Sequence, residues 1–378
     1  MIISVSDRAL YLRCPWMWNV FSWNRMALEP VRPPALELVR GSIVHHGVDL
    51  LCTAQDMRTG VDEYVEQMHE KYVEDYVEFA GGPPGGEWQS NWKETVWIAQ
   101  SMLALYEQRF GKDPFDPFEL IASEVNFFIP IPETDEGYFT GTIDRILRHK
   151  ESEEIWVGET KTWSSPPNPE HLELDEQQLS YAWALTQLLP DERVRGTYYD
   201  GCSADIPRKP RVLPSNNKLS KENIPTTYEY YLAAIIENGD DPHDPYYVSH
   251  LEKLKEQDTH DVTSFFARYR FRYTPAAVDL AGERLRKDHD RMVDDARYDR
   301  IIPNKMFGWS WDSCHRCALY IPCFNEQRGE PTLQDDIKSG KYREAKYAGY
   351  GTGERILAIQ EGSLQPHEVN SIEDLRNL

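Results

Sequence analysis

Glu159 and Lys161 stand two apart in G-E-T-K-T, and Asp144 ends G-T-I-D just upstream. Residues two apart on a strand point to the same face, so Glu159 and Lys161 share one. A turn centred on Glu151 and Ser152 puts Asp144 directly across from Glu159, with the two Cβ atoms roughly 5 Å apart. Carboxylates that close repel unless a cation lies between them, and Mg²⁺ takes one or two carboxylates, completing its shell with water and phosphate oxygens. Such an ion activates water and polarises a phosphate, while Lys161 stabilises the extra negative charge or positions the nucleophile. The competing reading is a surface ladder of ion pairs. Ile143, Ile146, Ile155 and Val157 border these charges with apolar groups, and Gly141 and Gly158 leave room beside the carboxylates, which favours the hydrolytic site.

A second constellation is made of thiols. Cys14 lies near one end of the chain, and Cys314, Cys317 and Cys323 lie near the other as C-x2-C-x5-C. Four thiolates suit either Zn²⁺ or a [4Fe–4S] cluster. Joining such distant positions closes a very long loop and constrains the unfolded chain. Trp309 and Trp311 are placed to pack around the bound group as an apolar shell. Cys52 and Cys202 match no ligand spacing and read as free thiols.

A chain of 378 residues with 40% hydrophobic side chains has ample material for a core. No apolar run reaches the length of a membrane span, and the charged N-terminus has no signal-peptide core. A cytoplasmic location, and with it reduced cysteines, is the expectation. The net charge of −22 is awkward for a nucleic-acid protein, because affinity for phosphates comes from Lys and Arg. The charge is uneven, however: 61–80 is an acidic outer helix, whereas basic residues gather at 208–221 and 268–272. No G-x4-G-K-[ST] loop occurs, so no nucleotide triphosphate motor is encoded.

The elements that must position these groups follow from periodicity. Helices are expected over 4–25 in part, 36–56, 61–79 and 90–110, the last two parted by GGPPGG at 81–86. Strands follow at 124–132, 137–149 and 153–163, then a helix at 175–189 and a strand at 194–201. This order predicts an α/β fold, a mixed sheet flanked by helices. Residues 203–226 read as a long surface loop, 227–257 as interrupted helix, 265–274 as a strand and 275–298 as a charged helix. The regions are then 1–35, an N-terminal cysteine segment; 36–120, helical; 121–202, the site-bearing core; 203–300, a completing region; 301–325, the cysteine clasp; and 326–378, an appendage or partly disordered tail.

G-T-I-D144 followed by G-E159-T-K161-T resembles the PD-(D/E)XK nuclease superfamily, in the branch of the RecB and AddB nuclease domains and the CRISPR-associated adaptation exonucleases. R-G41-S-I-V-H45 matches that branch's G-x-x-x-H helix, and Q177-Q-L-S-Y181 its Q-x-x-x-Y motif. Glu159 stands where close relatives often have Asp, and no Pro precedes Asp144. The resemblance covers about residues 1–325 and implies a restriction-endonuclease-like fold with Asp144, Glu159 and Lys161 as catalytic residues. It also implies His45 as a metal ligand, Gln177 and Tyr181 as holders of site and substrate, and dependence on Mg²⁺ or Mn²⁺. His46 beside His45 leaves open which ring faces inward. Glu124 reads as a strand-edge charge in preference to a further ligand. The iron–sulfur members pair one N-terminal Cys-Pro with a C-terminal C-x2-C-x5-C, which implies a [4Fe–4S] cluster on Cys14, Cys314, Cys317 and Cys323.

The run F-A-R268-Y-R270-F-R272-Y alternates guanidinium and aromatic side chains. On a strand it reads either as a phosphate-tracking face or as an exposed strand paired to acidic helices. Arg208 and Lys209, with Arg211, Lys218 and Lys221, read as a loop that grips DNA or as ordinary solvated charge. Phage-encoded relatives share this layout, which implies a phage exonuclease acting on single- or double-stranded DNA ends in recombination, replication or end processing, alone, as a homo-oligomer or with a recombination partner. Two rivals are a catalytically quiet iron–sulfur subunit that binds DNA ends and a structure-specific endonuclease.

Overall fold

Caps and breakers mark out the helices at the start of the chain. After β1 (Ile2–Ile3), Ser4 Oγ accepts the Asp7 N–H at 3.1 Å and starts α1 (Val5–Arg13). Cys14 is the joint between α1 and α2 (Pro15–Phe21), whose first turn tolerates proline because that N–H needs no partner. A short β2 (Leu28–Pro30) precedes α3 (Leu36–Cys52) and α4 (Met57–Ala80). Gly81, at φ 71°, ends α4 in the left-handed conformation, and α5 (Gly86–Phe110) starts anew beyond the Gly/Pro run. In the computed structural model the described residues are 1–32, 35–111, 114–164, 167–304, 314–345 and 374.

A meander of β3 (Phe118–Pro130), β4 (Tyr138–His149) and β5 (Ile155–Trp163) comes next. Then α6 (Pro169–Glu173) and α7 (Glu176–Leu188) cross to β6 (Val194–Ser203), which runs parallel to β5. Beyond lie α8 (Tyr228–Glu237), α9 (Pro245–Gln257), β7 (Phe266–Arg272) and α10 (Pro275–Arg297). A 3-10 turn at Cys314–Arg316, α11 (Tyr320–Gln327), α12 (Leu333–Lys338) and β8 (Tyr342–Glu344) complete the described chain. The central sheet has the order β1-β4-β5-β6-β7, with β3 on the other edge of β4. It is mixed and flanked by helices, as its sequence pattern predicts.

The sheet forks. β4 and β5 pair from Arg148↔Ile155 to Arg145↔Gly158, the register of a turn at Glu151–Ser152. Past that point β4 stays with β3, while β5 stays with β6 through Trp163↔Ser203. Only at Tyr138 and Phe139 does β1 cover the freed edge of β4. Asp144 and Glu159 are the first residues inside this opening.

Alternation along the strands separates two cores. Ile143, Ile146, Ile155 and Val157 face α7 and α10, packing with Leu185 and Leu285. Leu147, Trp156, Tyr198 and Phe266 face α3, α4 and α5, packing with Val44 and Leu103. The sheet is therefore covered on both faces, and the opening is where groups from the two sides meet.

Residues 204–226 form the expected long surface loop, with no helix or strand, but it is anchored at one point. Val212 bridges to Leu219, and Leu219 is buried with Tyr231, Ile235, Tyr247 and Leu251 of α8 and α9. The Tyr247 hydroxyl accepts the Leu219 N–H at 2.9 Å. Leu219 alone ties the Pro/Lys-rich stretch to the small core of α8 and α9, while Val212 stays exposed. The two ends of the chain also meet: β2 pairs with β8, and Arg343 on β8 reaches Glu29 and Glu78, each at 2.6 Å. The described part of the C-terminal appendage is thus folded onto the N-terminal segment.

Candidate metal and nuclease site

Glu159 and Lys161 leave β5 on the α7 side, and Asp144 leaves β4 across the opening. Asp144 Oδ2 accepts the backbone N–H of Thr160 at 3.0 Å, a bond made possible because the ladder stops one residue earlier. Lys161 Nζ pairs with Glu159 Oε1, and Gln177 Nε2 donates to the same oxygen at 3.4 Å. Asp175 caps α7 by accepting the Gln177 N–H at 2.8 Å, which fixes where the Gln177 side chain starts. Glu159 is 1% exposed, yet its Oε2 has no hydrogen-bond partner. A buried carboxylate oxygen without a partner is costly, and a divalent cation would satisfy it.

His45 enters from α3, on the other side of the sheet, through the opening. Its Nδ1 lies 3.4 Å from Asp144 Oδ2. Loss of hydration and the Arg145 guanidinium pull the imidazole down to about 4, so it is neutral near pH 7 and has a lone pair for a metal. His46 turns away and stacks on Tyr64 at 4.3 Å, which settles which ring faces the site.

Glu124, read in the sequence as a strand-edge charge in preference to a further ligand, is exposed but stands beside the site. Its carboxyl joins His45 and Asp144, with the three ligand atoms all within 4.8 Å of one another. The neighbouring pairs Ser123↔Arg145 and Val125↔Ile143 put Glu124 opposite Asp144, and Glu124 takes φ 50°, a left-handed conformation rare in a strand. Part of Glu124 stays in solvent, but its carboxyl points into the crevice. Desolvation first and Asp144 second push it up to about 7. Burial likewise raises Asp144, and burial with Asp144 raises Glu159. Burial opposes the Lys161 charge, but Glu159 and Asp144 outweigh it and hold the amine above its usual range. Mutually repelling, desolvated carboxylates beside a neutral imidazole form a hard-donor set suited to Mg²⁺ or Mn²⁺. Asp49, one turn after His45 on α3, adds to the negative field on Glu124 and Asp144.

Tyr181 is buried and packs edge-on against Phe127 at 5.6 Å. The glycines beside the carboxylates serve neighbours other than those expected. A Cβ at Gly141 would meet Phe127 and Tyr181 at about 3 Å, and one at Gly158 would meet Arg145 and Leu147. Their missing side chains let the core close on both faces under the site.

The Arg-rich strand requires a correction. In register Arg268 lies opposite Asp200, and its Nε bonds Asp200 Oδ1 at 2.7 Å. Tyr106 and Phe110 enclose the guanidinium, whose centre lies 3.3 Å from the Phe110 ring centroid. Arg268 is a core ion pair and not a phosphate contact. Arg270 and Arg272 are exposed, but they lie over Phe118, Tyr198 and Trp156 on the α5 side, the face opposite Glu159 and Lys161. Arg208 and Lys209 sit on the surface of the α8–α9 unit, paired with Asp205 at 3.3 Å and Glu237 at 2.8 Å.

Two of the four clasp cysteines, Cys14 and Cys317, share one small core, that of Met17, Val20, Leu28, Leu319 and Tyr342. Burial raises the Cys317 and Cys323 thiols, and the neighbouring thiols add to it, Cys14 and Cys314 acting on both. No three of these sulfurs lie within 4.8 Å of one another among the described residues, so they are neighbours without forming a tight tetrahedral set. Trp309 and Trp311 lie outside the described residues. Cys52 and Cys202 belong to the α3–α5 core.

No helix among the described residues is long and apolar enough to cross a membrane. No curated protein matches the sequence. The model of the PD-(D/E)XK nuclease superfamily matches residues 2–323, from β1 through the last clasp cysteine. With that match spanning both sheet and opening, the chain belongs to the PD-(D/E)XK nuclease superfamily.

Proposed function

We propose that this protein is a Mg²⁺- or Mn²⁺-dependent deoxyribonuclease that acts as an exonuclease on DNA ends without nucleotide triphosphates. The observation that carries the reading is the meeting of Asp144, Glu159, Lys161 and His45 at the fork between β4 and β5. Asp144, Glu159 and His45 would hold the cation, which when bound supplies an activated water and a polarised phosphate. Lys161, released from Glu159, donates to the phosphate oxygen on which charge grows. Gln177 keeps Glu159 aimed at the opening, and Thr160 fixes Asp144 through its backbone N–H. Tyr181 holds the supporting helix against the sheet.

The same proposal includes a [4Fe–4S] cluster on Cys14, Cys314, Cys317 and Cys323. The pairing of Cys14 with a C-terminal C-x2-C-x5-C supports it, Cys14 and Cys317 pack on one small core, and thiolate donors suit iron–sulfur chemistry. Its role is to tie α1 and α2 to the C-terminal segment beside the nuclease core. The sequence layout supports a phage protein acting in recombination, replication or end processing. Arg208 and Lys209 remain in the proposal as peripheral DNA contacts.

The test is digestion of end-labelled linear DNA, single- and double-stranded, beside closed circles, with Mg²⁺ or Mn²⁺. Release of nucleotides from linear DNA with intact circles is the expected result. Nicked circles would make it an endonuclease, and DNA retained uncut in both metals would make it a binding subunit.

A further inference from the structure

The face that carries Glu159 and Lys161 continues in aromatic rings. In register, Glu159 lies beside Tyr199 and Tyr199 beside Tyr269. Trp163 follows Lys161 by two residues on the same face of β5, about 6.6 Å along the strand. Its indole stacks on Tyr199, with ring planes 15° apart and centroids at 6.0 Å. Gly201, the neighbour of Lys161 on β6, makes room for that ring: a Cβ there would lie 1.5 Å from an indole carbon. Tyr269 stacks on Phe271 at 5.9 Å. Tyr199 is buried and serves as backing, whereas Trp163 and Tyr269 are half-buried at the edge of that core.

A DNA strand with its phosphate at Lys161 therefore meets neutral rings next. The exposed Arg270 and Arg272 are on the far face, and the chain as a whole carries −22. Base stacking on aromatic side chains needs no positive field and no particular sequence. It needs a base with a free face, which a paired base inside a duplex lacks.

We propose that Trp163, backed by Tyr199 and continued by Tyr269, stacks an unpaired base of the strand whose phosphate lies at Lys161, so that the site takes single-stranded or frayed DNA ends. The inference rests on the nuclease reading above.

The test uses the cluster-containing full chain in Ca²⁺, to hold turnover low, and three fluorescent probes: a single-stranded thymidine oligonucleotide, the same strand with abasic sites, and a hairpin-capped blunt duplex. Trp163→Ala should bind the thymidine strand about tenfold more weakly. Trp163→Phe should keep most of the affinity, and neither change should shift binding of the abasic strand or the duplex. If Trp163→Ala does not fold, judged by its thermal midpoint, Tyr269→Ala carries the same comparison. Unchanged affinity for the thymidine strand, an equal loss on the abasic strand, or no binding of single strands by the natural protein would each overturn the proposal. Digestion by the natural protein in Mg²⁺ or Mn²⁺ separates the two readings: cleavage with no effect of Trp163→Ala retires the stacking site alone, and absence of cleavage retires the nuclease.

Discussion

Glu124 faces Asp144 across the β3–β4 ladder from a left-handed backbone conformation, φ 50°, with its carboxyl beside His45. Such a conformation costs roughly 1 kcal/mol or more and persists where the surroundings enforce it. Here it turns a strand residue into the crevice that three other elements build.

The first prediction concerns charge in that crevice. Glu124 rises from an ordinary 4.5 to about 7 on folding. A raised carboxyl stabilises the folded state below its unfolded value and loses that contribution as pH climbs through its folded one. In metal-free protein, Glu124→Gln should therefore gain thermal stability relative to the natural chain as pH rises from about 4.5 to about 7. The same variant should bind Mn²⁺ more weakly in calorimetric titration. A constant stability difference across that window, with unchanged Mn²⁺ affinity, would remove Glu124 from the site.

A second prediction separates Arg268 from its neighbours on β7. Arg268→Ala leaves the buried Asp200 carboxylate with the Tyr106 hydroxyl but without its cation, and breaking a buried pair in this way costs about 3–5 kcal/mol. The thermal midpoint should fall sharply while DNA affinity of the folded fraction holds. Arg270→Ala and Arg272→Ala remove exposed side chains and should change stability by less than about 1 kcal/mol. A large affinity loss for Arg268→Ala at an unchanged midpoint would restore the phosphate-tracking role.

Iron content and colour test the clasp. Anaerobically purified protein should be brown, with visible absorbance that bleaches on reduction. Cys14→Ser or Cys323→Ser should lose iron and also expose the β2–β8 junction to limited proteolysis, because that junction packs on the same small core. Colourless protein with one zinc per chain would point to the other thiolate centre.

Gly141→Ala tests how closely the core is fitted beneath the site. The new methyl would meet Phe127 and Tyr181 at about 3 Å. Overpacking of this kind costs about 1–3 kcal/mol, and a thermal melt reads it directly. An unchanged midpoint would mean that Tyr181 can shift freely.

Much of this was legible in the sequence because alternation along a strand is rigid. The spacing of Glu159 and Lys161 and the turn at Glu151–Ser152 give the observed β4–β5 register without tertiary information. Other features depend on what lies across a strand or face. Glu124 looked like an edge charge because its turned backbone has no sequence signature. Arg268 looked exposed because its partner Asp200 lies on another strand, and only pairing brings them together. The alternation of β7 was read correctly, but which face turns toward Glu159 is set by the sheet order, not by β7 itself. The loop over 204–226 was legible from its Pro and Lys content, but its anchoring through Leu219 was not, because the partners Tyr231 and Tyr247 lie on later helices.

The central claim is that the opening between β4 and β5 holds a cation and cuts DNA with Lys161. It is tested most directly by measuring, on one preparation of each protein, Mn²⁺ binding by calorimetry and nucleotide release from linear DNA, for the natural chain, Glu159→Ala and Lys161→Ala. The account predicts Mn²⁺ binding and cleavage for the natural chain, loss of both for Glu159→Ala, and retained Mn²⁺ binding with cleavage reduced at least about a hundredfold for Lys161→Ala, the scale expected for one electrostatic group at a reaction centre. Undiminished cleavage by Lys161→Ala or Glu159→Ala would contradict it.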